Sequence, residues 1–220
     1  MTLAPKNGVL LVHGGYRNLR SYRVAEAIFD ATMVFCERFY AQDGRTRDQM
    51  VQAARSGVRN ISEGSGAAAT SRKSEMKLTN VARASLNDEL LRDYEDFRRQ
   101  RDLAIWDKDS RKAQAMRARL RQDDIPALPA ARPGSIRLTG LVGLSDFVSK
   151  AAPELAANAM VCAVHQAAYL LKRQLESQAR AFSETGGFTE RLYCTRKRQK
   201  SQKSDQSDTS DRSDKTKTPR

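Results

Sequence analysis

Cations spaced four residues apart are the side chains in this sequence best placed to do chemistry, and that chemistry is electrostatic capture of phosphate. Arg55 and Arg59 share one face of any helix that contains them, as do Lys73 and Lys77. Arg72 and Arg83 flank the second pair, with Asn80 and Asn87 along the same side as the lysines. Spaced cations on a rigid helix follow a phosphate backbone, which supplies most of the affinity in non-specific nucleic-acid binding. The plainer alternative is a solvated face with helix salt bridges to Glu63, Glu75 or Asp88. A denser cluster, Arg196-Lys197-Arg198-Gln199-Lys200, reads either as a nucleic-acid-binding arm or as a solubilising tail.

Other constellations lead elsewhere. Gly64-Ser65-Gly66 ahead of a helix start has the look of an anion loop. It lacks the Gly-Lys-Ser/Thr of a nucleotide site and follows no strand, so it reads as a tight interhelical turn. Cys162 and His165, three apart, would form half of a metal site that His13, Cys36 or Cys194 must complete in space. Their apolar flanks read instead as a buried thiol and a satisfied imidazole. Carboxylates cluster at Asp88, Glu89, Asp93, Glu95 and Asp96, but a di-iron bundle site needs a Glu-x-x-His pair on each of two helices, and no such pair exists. With two histidines in the chain and no nucleophile–base arrangement, the expectation is a non-enzyme without cofactor or metal. Asn60-Ile61-Ser62 matches a glycosylation acceptor but falls in a predicted helix of a chain expected to be cytoplasmic.

The elements that position these residues follow from periodicity. Tyr22, Ala25, Ile28, Phe29, Thr32, Phe35, Cys36 and Phe39 recur at helical steps and predict a first helix from Leu19 to about Gln42. A second is marked by Met50, Val51, Ala54, Val58 and Ile61, with Thr46-Arg47-Asp48-Gln49 as a capping box and Gly64-Ser65-Gly66 as its end. Thr70 or Ser71 caps a third, whose stripe is Leu78, Val81, Leu86, Leu90, Tyr94 and Phe97, with Glu75 favoured by the helix dipole. Small residues at Ala53, Ala54, Ser56, Gly57, Ala82, Ala84 and Ser85 let the second and third helices approach closely. Pro153 opens the last long helix, with Leu155, Ala159, Met160, Ala163, Ala167, Leu170, Leu171, Leu175 and Phe182 on a broad apolar face ending near Gly186-Gly187. The predicted fold is an all-α, antiparallel up-and-down four-helix bundle over 19–192, with an inserted excursion at 106–149 between helices three and four. Pro126, Pro129 and Pro133 exclude a helix interior around them, and a short helical piece is expected around Leu144 to Lys150. Residues 1–18 read as an irregular lead-in. The end, 193–220, reads as a disordered tail, because its repeated Ser-Asp steps bury nothing.

The chain has 220 residues and a net charge of +13, which makes polyanions the first partners to consider. Nine cationic residues and four aspartates follow Cys194, so five of the net charges lie there and eight precede it. Three widely spaced cysteines suggest neither a disulfide framework nor a zinc module, and a reducing cytoplasm fits them. The apolar run Val9 to Val12 is far short of a secretory h-region, and no stretch reaches the ~20 apolar residues a membrane span needs.

The stretch Asp48 to Phe97, DQMVQAARSGVRNISEGSGAAATSRKSEMKLTNVARASLNDELLRDYEDF, resembles the four-helix bundle proteins once described as products of intervening sequences in large-subunit ribosomal RNA genes. His13-Gly14-Gly15-Tyr16-Arg17, Arg101-Asp102-Leu103-Ala104-Ile105-Trp106-Asp107, Ala157-Asn158 and His165 through Leu171 resemble the four-helix bundle suffix branch. Residues 13–106 and 150–192 carry the likeness. It implies a bundle fold and kinship with the accessory variability determinant of diversity-generating retroelements, a basic, ring-forming partner of a reverse transcriptase that contacts nucleic acid. A homo-oligomer, pentameric in such relatives, is implied by the resemblance alone. The sequence thus predicts a non-catalytic bundle that self-associates and binds RNA or DNA, as accessory subunit to a reverse transcriptase or another nucleic-acid enzyme. The competing expectation is a protein–protein assembly scaffold, with its interface on helix four or the insertion.

Overall fold

Each predicted helix exists, and the differences lie at its ends and in what covers it. The computed structural model describes residues 15–121, 143–187, 190, 192–197 and 200. The chain is all-α, and no strand occurs among the described residues. Helix α1 (Arg20–Phe39) buries Ala25, Ile28, Thr32, Phe35 and Cys36 of its predicted stripe and adds Val24 and Ala31, while Tyr22, Phe29 and Phe39 pack at its partly buried edge.

Helix α2 (Gly44–Ala67) starts earlier than the capping box implies. Asp43 is the cap: the Thr46 backbone N–H donates to its Oδ1 at 3.0 Å and the Thr46 hydroxyl to its Oδ2 at 2.6 Å. A carboxylate three residues ahead of Thr46 satisfies the orphan amide better than the expected Thr46–Gln49 box. Nor does α2 break at Gly64-Ser65-Gly66. It runs to Ala67 because Gly64 serves a close approach rather than a turn: a Cβ there would meet the Glu75 carbonyl oxygen and Leu78 Cβ at 3.3 Å.

Ser71 caps α3 (Arg72–Ala84) by accepting from the Ser74 N–H at 3.1 Å. The helix continues through a π-helical segment (Ser85–Leu90) into α4 (Leu91–Gln100). The stripe differs at one position. Val81 is 38% exposed, while Thr79, Ala82, Leu86, Leu90, Tyr94 and Phe97 are buried. Val81 stands about 100° round the helix from Ala82, on its outer side.

Residues 106–149 do more than connect. Helix α5 (Arg111–Leu120) contributes Ala113, Met116 and Leu120 to the core, and α6 (Leu144–Lys150) contributes Leu144, Phe147 and Val148. The excursion thus adds to the core, because each short helix carries three apolar residues on one face, and α6 coincides with the short helical piece expected around Leu144 to Lys150. Pro126, Pro129 and Pro133 lie outside the described residues. Helix α7 (Pro153–Thr185) begins at the predicted proline and ends at Gly186, which takes the left-handed φ of 67°. Its first half is buried nearly all round, from Ala156 and Ala157 through Ala159 to Val164. Leu155, expected on the apolar face, is exposed.

Helix α2 lies against α1 and α3, and α7 lies against α1, α3, α4, α5 and α6; α6 also lies on α1. Close contact of α2 with the third run is made by Gly57 under Leu86 and by the Ser85 hydroxyl donating to Ser56 Oγ at 3.2 Å. Phe35, Phe39, Tyr40, Tyr94 and Phe97 form an aromatic cluster, with the Arg101 guanidinium 4.1 Å from the Phe97 ring centroid. Arg38 holds α6 to α1 by donating to the carbonyls of Val148 and Ala151, the latter at 2.9 Å. Residues 192–197 are helical across the expected start of the tail, and 201–220, with the Ser-Asp repeat, lie outside the described residues, as does the lead-in up to 14. Among the described helices none is long and apolar enough to cross a membrane.

Candidate nucleic-acid interface

The buried face of α2, set by Met50, Ala53, Ala54, Gly57, Ile61 and Gly64, fixes where its cations point. Arg55 and Arg59 fall on the opposite side and are exposed. On α3, Thr79 and Ala82 face the core, Leu78 meets α2, and Lys73 and Lys77 are exposed. Among the described residues, none of these four has a carboxylate within ion-pair distance. The pairs do not share one face. Lys73 and Lys77 stand about a quarter-turn or more round α3 from the Leu78 side that meets α2, so they look away from Arg55 and Arg59.

The flanking cations are less free. Arg72 Nη1 donates to Glu75 Oε2 at 3.0 Å, with only 21% of the arginine and 12% of the glutamate side chain exposed. Arg83 is half-buried and its Nε donates to Asn80 Oδ1 at 3.3 Å. Arg196, Lys197 and Lys200 are exposed; Arg198 lies outside the described residues.

A third basic element escaped the sequence reading. Helix α5 turns Ala113, Met116 and Leu120 inward and leaves Arg111, Lys112, Arg119 and, just beyond it, Arg121 exposed. Arg117 donates from Nη2 to the Lys108 carbonyl, and Arg20 Nη2 donates to the Arg121 carbonyl at 3.1 Å, tying the end of α5 to the start of α1. Lys112 is partnered, 3.6 Å from Glu154 and over the Trp106 ring. The signal was present: five cations and no carboxylate lie between Ser110 and Gln122. It was hidden by the proline-rich stretch that follows.

No family model, curated protein or solved structure matches this chain. Cys36 and Cys162 are both buried, and burial pushes the Cys36 thiol up to about 12 and raises Cys162 as well, so neither is a thiolate near neutral pH. His165 does not share that burial. It is exposed on α7, because it sits on the opposite side of the helix from the buried Ala163 and Ala167. His13 lies outside the described residues, and among the described residues no three His, Cys, Asp or Glu side chains gather as a metal set would. Of the acidic cluster, Asp96 pairs with Arg99 at 2.8 Å and Asn87 donates to Asp88 at 2.8 Å. Asp93 is half-buried, and desolvation, reinforced by Asp96 and Glu89, raises its carboxyl to about 6.

Proposed function

We propose that this protein is a non-catalytic four-helix bundle that self-associates and holds RNA or DNA on its cationic surfaces. The observation that carries the reading is the set of exposed cations on rigid helices: Arg55 and Arg59 on α2 and Lys73 and Lys77 on α3, which no described carboxylate pairs, joined by the exposed Arg111 and Arg119 of α5. Helices fix the spacing of these charges, so a polyanion meets them without an ordering cost in the backbone. Two outward faces suit contacts to phosphates more than reading of base edges. The packing of α1, α2, α3–α4 and α7 supports the up-and-down topology. The family resemblance supports self-association and service as accessory subunit to a reverse transcriptase or another nucleic-acid enzyme, and the three widely spaced cysteines support a cytoplasmic place.

The test is a salt titration of binding to a short labelled RNA and a DNA duplex. Two phosphate contacts on either face predict a fall in affinity of roughly tenfold between 50 and 200 mM salt. Reversing Arg55, Arg59, Lys73 and Lys77 to glutamate flattens that slope while leaving the helical content unchanged. Binding that is absent at low salt, or indifferent to both salt and charge reversal, overturns the reading. A protein-binding scaffold is the second reading, and the exposure of Ile105, Leu155 and Tyr169 favours it. It predicts no salt-dependent affinity for nucleic acid.

A further inference from the structure

The two most exposed tyrosines of the described chain are each followed by two cations at one and the same spacing. Tyr169-Leu170-Leu171-Lys172-Arg173 lies in α7, and Tyr193-Cys194-Thr195-Arg196-Lys197 lies in the helical residues 192–197. Tyr169 is 59% and Tyr193 68% exposed, whereas Tyr40 and Tyr94 are buried and Tyr16 and Tyr22 half-buried. The core side of α7 is taken by Ala163, Ala167 and Leu171, so Tyr169 stands on the opposite side, with the exposed Lys172 and Arg173 to left and right of it one turn further on. Among the described residues, no second ring, cation or hydrogen bond engages either tyrosine side chain, and none of Lys172, Arg173, Arg196 and Lys197 has a carboxylate within ion-pair distance. The nearest acids in sequence are Glu176, which is exposed and pairs with neither cation, and Glu190, which accepts from the Gly187 N–H at 2.7 Å.

An open aromatic ring with unpaired cations one turn away offers a base a stacking face and its phosphates a counter-charge, the pair of contacts by which single strands are held. Tyr169 does not belong to the apolar surface of Ile105 and Leu155, because Leu155 lies 14 residues earlier on α7, about 21 Å along the axis. We propose that the Tyr169 face of α7 and the Tyr193 face of residues 192–197 hold single-stranded RNA or DNA, each tyrosine stacking a base while the two cations beyond it take the flanking phosphates. This assignment rests on the nucleic-acid reading above and names its substrate as the unpaired strand. Residues three and four apart on a helix are about 5–6 Å from one another, so each ring and its cations address one nucleotide and its neighbour. In a duplex every base is closed between its neighbours, and a ring on a convex helix surface reaches none of them; only the cations then act. Every base has a π-face, so the tyrosines select strandedness and not sequence.

The probes are a labelled mixed-sequence strand of about 12 nucleotides, as RNA and as DNA, and a DNA duplex of the same length, each titrated with the full-length chain at constant salt and followed by fluorescence anisotropy. Both strands are expected to bind, because neither contact reads the 2′-hydroxyl. Tyr169→Ala combined with Tyr193→Ala is expected to weaken both strands about tenfold and to leave the duplex unchanged. Tyr169→Phe with Tyr193→Phe keeps wild-type affinity, whereas Tyr169→Leu with Tyr193→Leu, apolar but without a π-face, behaves as the alanine pair does. Lys172→Gln with Arg173→Gln flattens the log–log salt slope for the strands by about 1.4. All of these side chains are exposed, and circular dichroism confirms that the variants stay helical. Failure of every probe to bind at low salt overturns the nucleic-acid reading and this one with it. Salt-dependent binding in which the alanine pair leaves the strands unaffected, as when the rings meet a protein partner, overturns this assignment alone. So does an equal loss on strand and duplex, full affinity in the leucine pair, or binding of only one of the two kinds of strand.

Discussion

Replacing Gly57 with alanine places a methyl group against the side chain that seats the third helical run on α2. The new Cβ would lie 2.7 Å from both Cγ and Cδ2 of Leu86 and 3.1 Å from Cδ1. Ordinary carbon contacts are about 3.5–4.0 Å, so Leu86 must retreat by nearly 1 Å. It has little room to do so, being fully buried within the π-helical segment. Overpacking of this kind costs about 1–3 kcal/mol, offset by the ~0.5–1 kcal/mol that alanine gains over glycine inside a helix. The net expectation is a loss of about 1–2 kcal/mol, or roughly 2–8 °C in Tm for a chain of this size. Gly66→Ala is the internal control: nothing lies within 4 Å of its Cβ, so the same substitution nine residues on is neutral or stabilising by up to about 1 kcal/mol. Urea unfolding followed by circular dichroism measures both. Pairing Gly57→Ala with Leu86→Ala completes a double-mutant cycle, and the methyl then fills part of the space Leu86 vacates, with a favourable coupling of about 1 kcal/mol. If Gly57→Ala is as stable as Gly66→Ala, the close approach of the two helices is wrong.

Three further outcomes follow from polar groups at the edge of the core or within it. Asp93, with its carboxyl raised to about 6 against ~3.9 in an unfolded chain, holds its proton more tightly when folded. Its contribution is fully present below about pH 4 and is lost as pH rises through 6. Asp93→Asn should therefore match wild type at pH 4 and exceed it by about 1–3 kcal/mol at pH 7.5, in urea midpoints taken across that range; a pH-independent difference refutes the assignment. Asn158 accepts from Arg98 Nη1 at 2.8 Å and from the Trp106 N–H at 3.2 Å, and donates to the carbonyls of Ala104 and Glu154, both at 2.9 Å. Asn158→Ala strands the buried guanidinium of Arg98 and should cost about 2–4 kcal/mol, with a red shift in the emission of Trp106, the one tryptophan in the chain. Arg38→Met removes the donor that ties α6 to α1, so hydrogen exchange of Phe147 and Ala151 should accelerate about 10–100-fold while α2 amides stay unchanged.

Most of the helical plan was legible because apolar periodicity is a local property. The α1 stripe, Ser71 as a cap, Glu75 in the first turn, Pro153 as an opener and Gly186 as a stop each depend on a few neighbouring residues. The glycines were harder. Gly64 and Gly66 look alike in sequence, yet Gly64 is occupied by an approaching helix and Gly66 faces open space, which only the partner helix can specify. Val81 and Leu155 have apolar side chains at helical spacing, and their exposure depends on which way each helix is rolled.

For the candidate sites the division is sharper. The sequence by itself determined the charge excess, the i,i+4 pairs Arg55–Arg59 and Lys73–Lys77 and their separation along the chain, because spacing on a helix needs no third dimension. Tertiary structure decided that the two pairs face apart, that Arg72 turns to Glu75, and that α5 is a basic face laid on α7. It also decided that Gln178, 103 residues from Glu75, donates to its carboxylate. Contacts between residues so distant arise from how amphipathic helices share one core, and no local pattern records which neighbour each will meet.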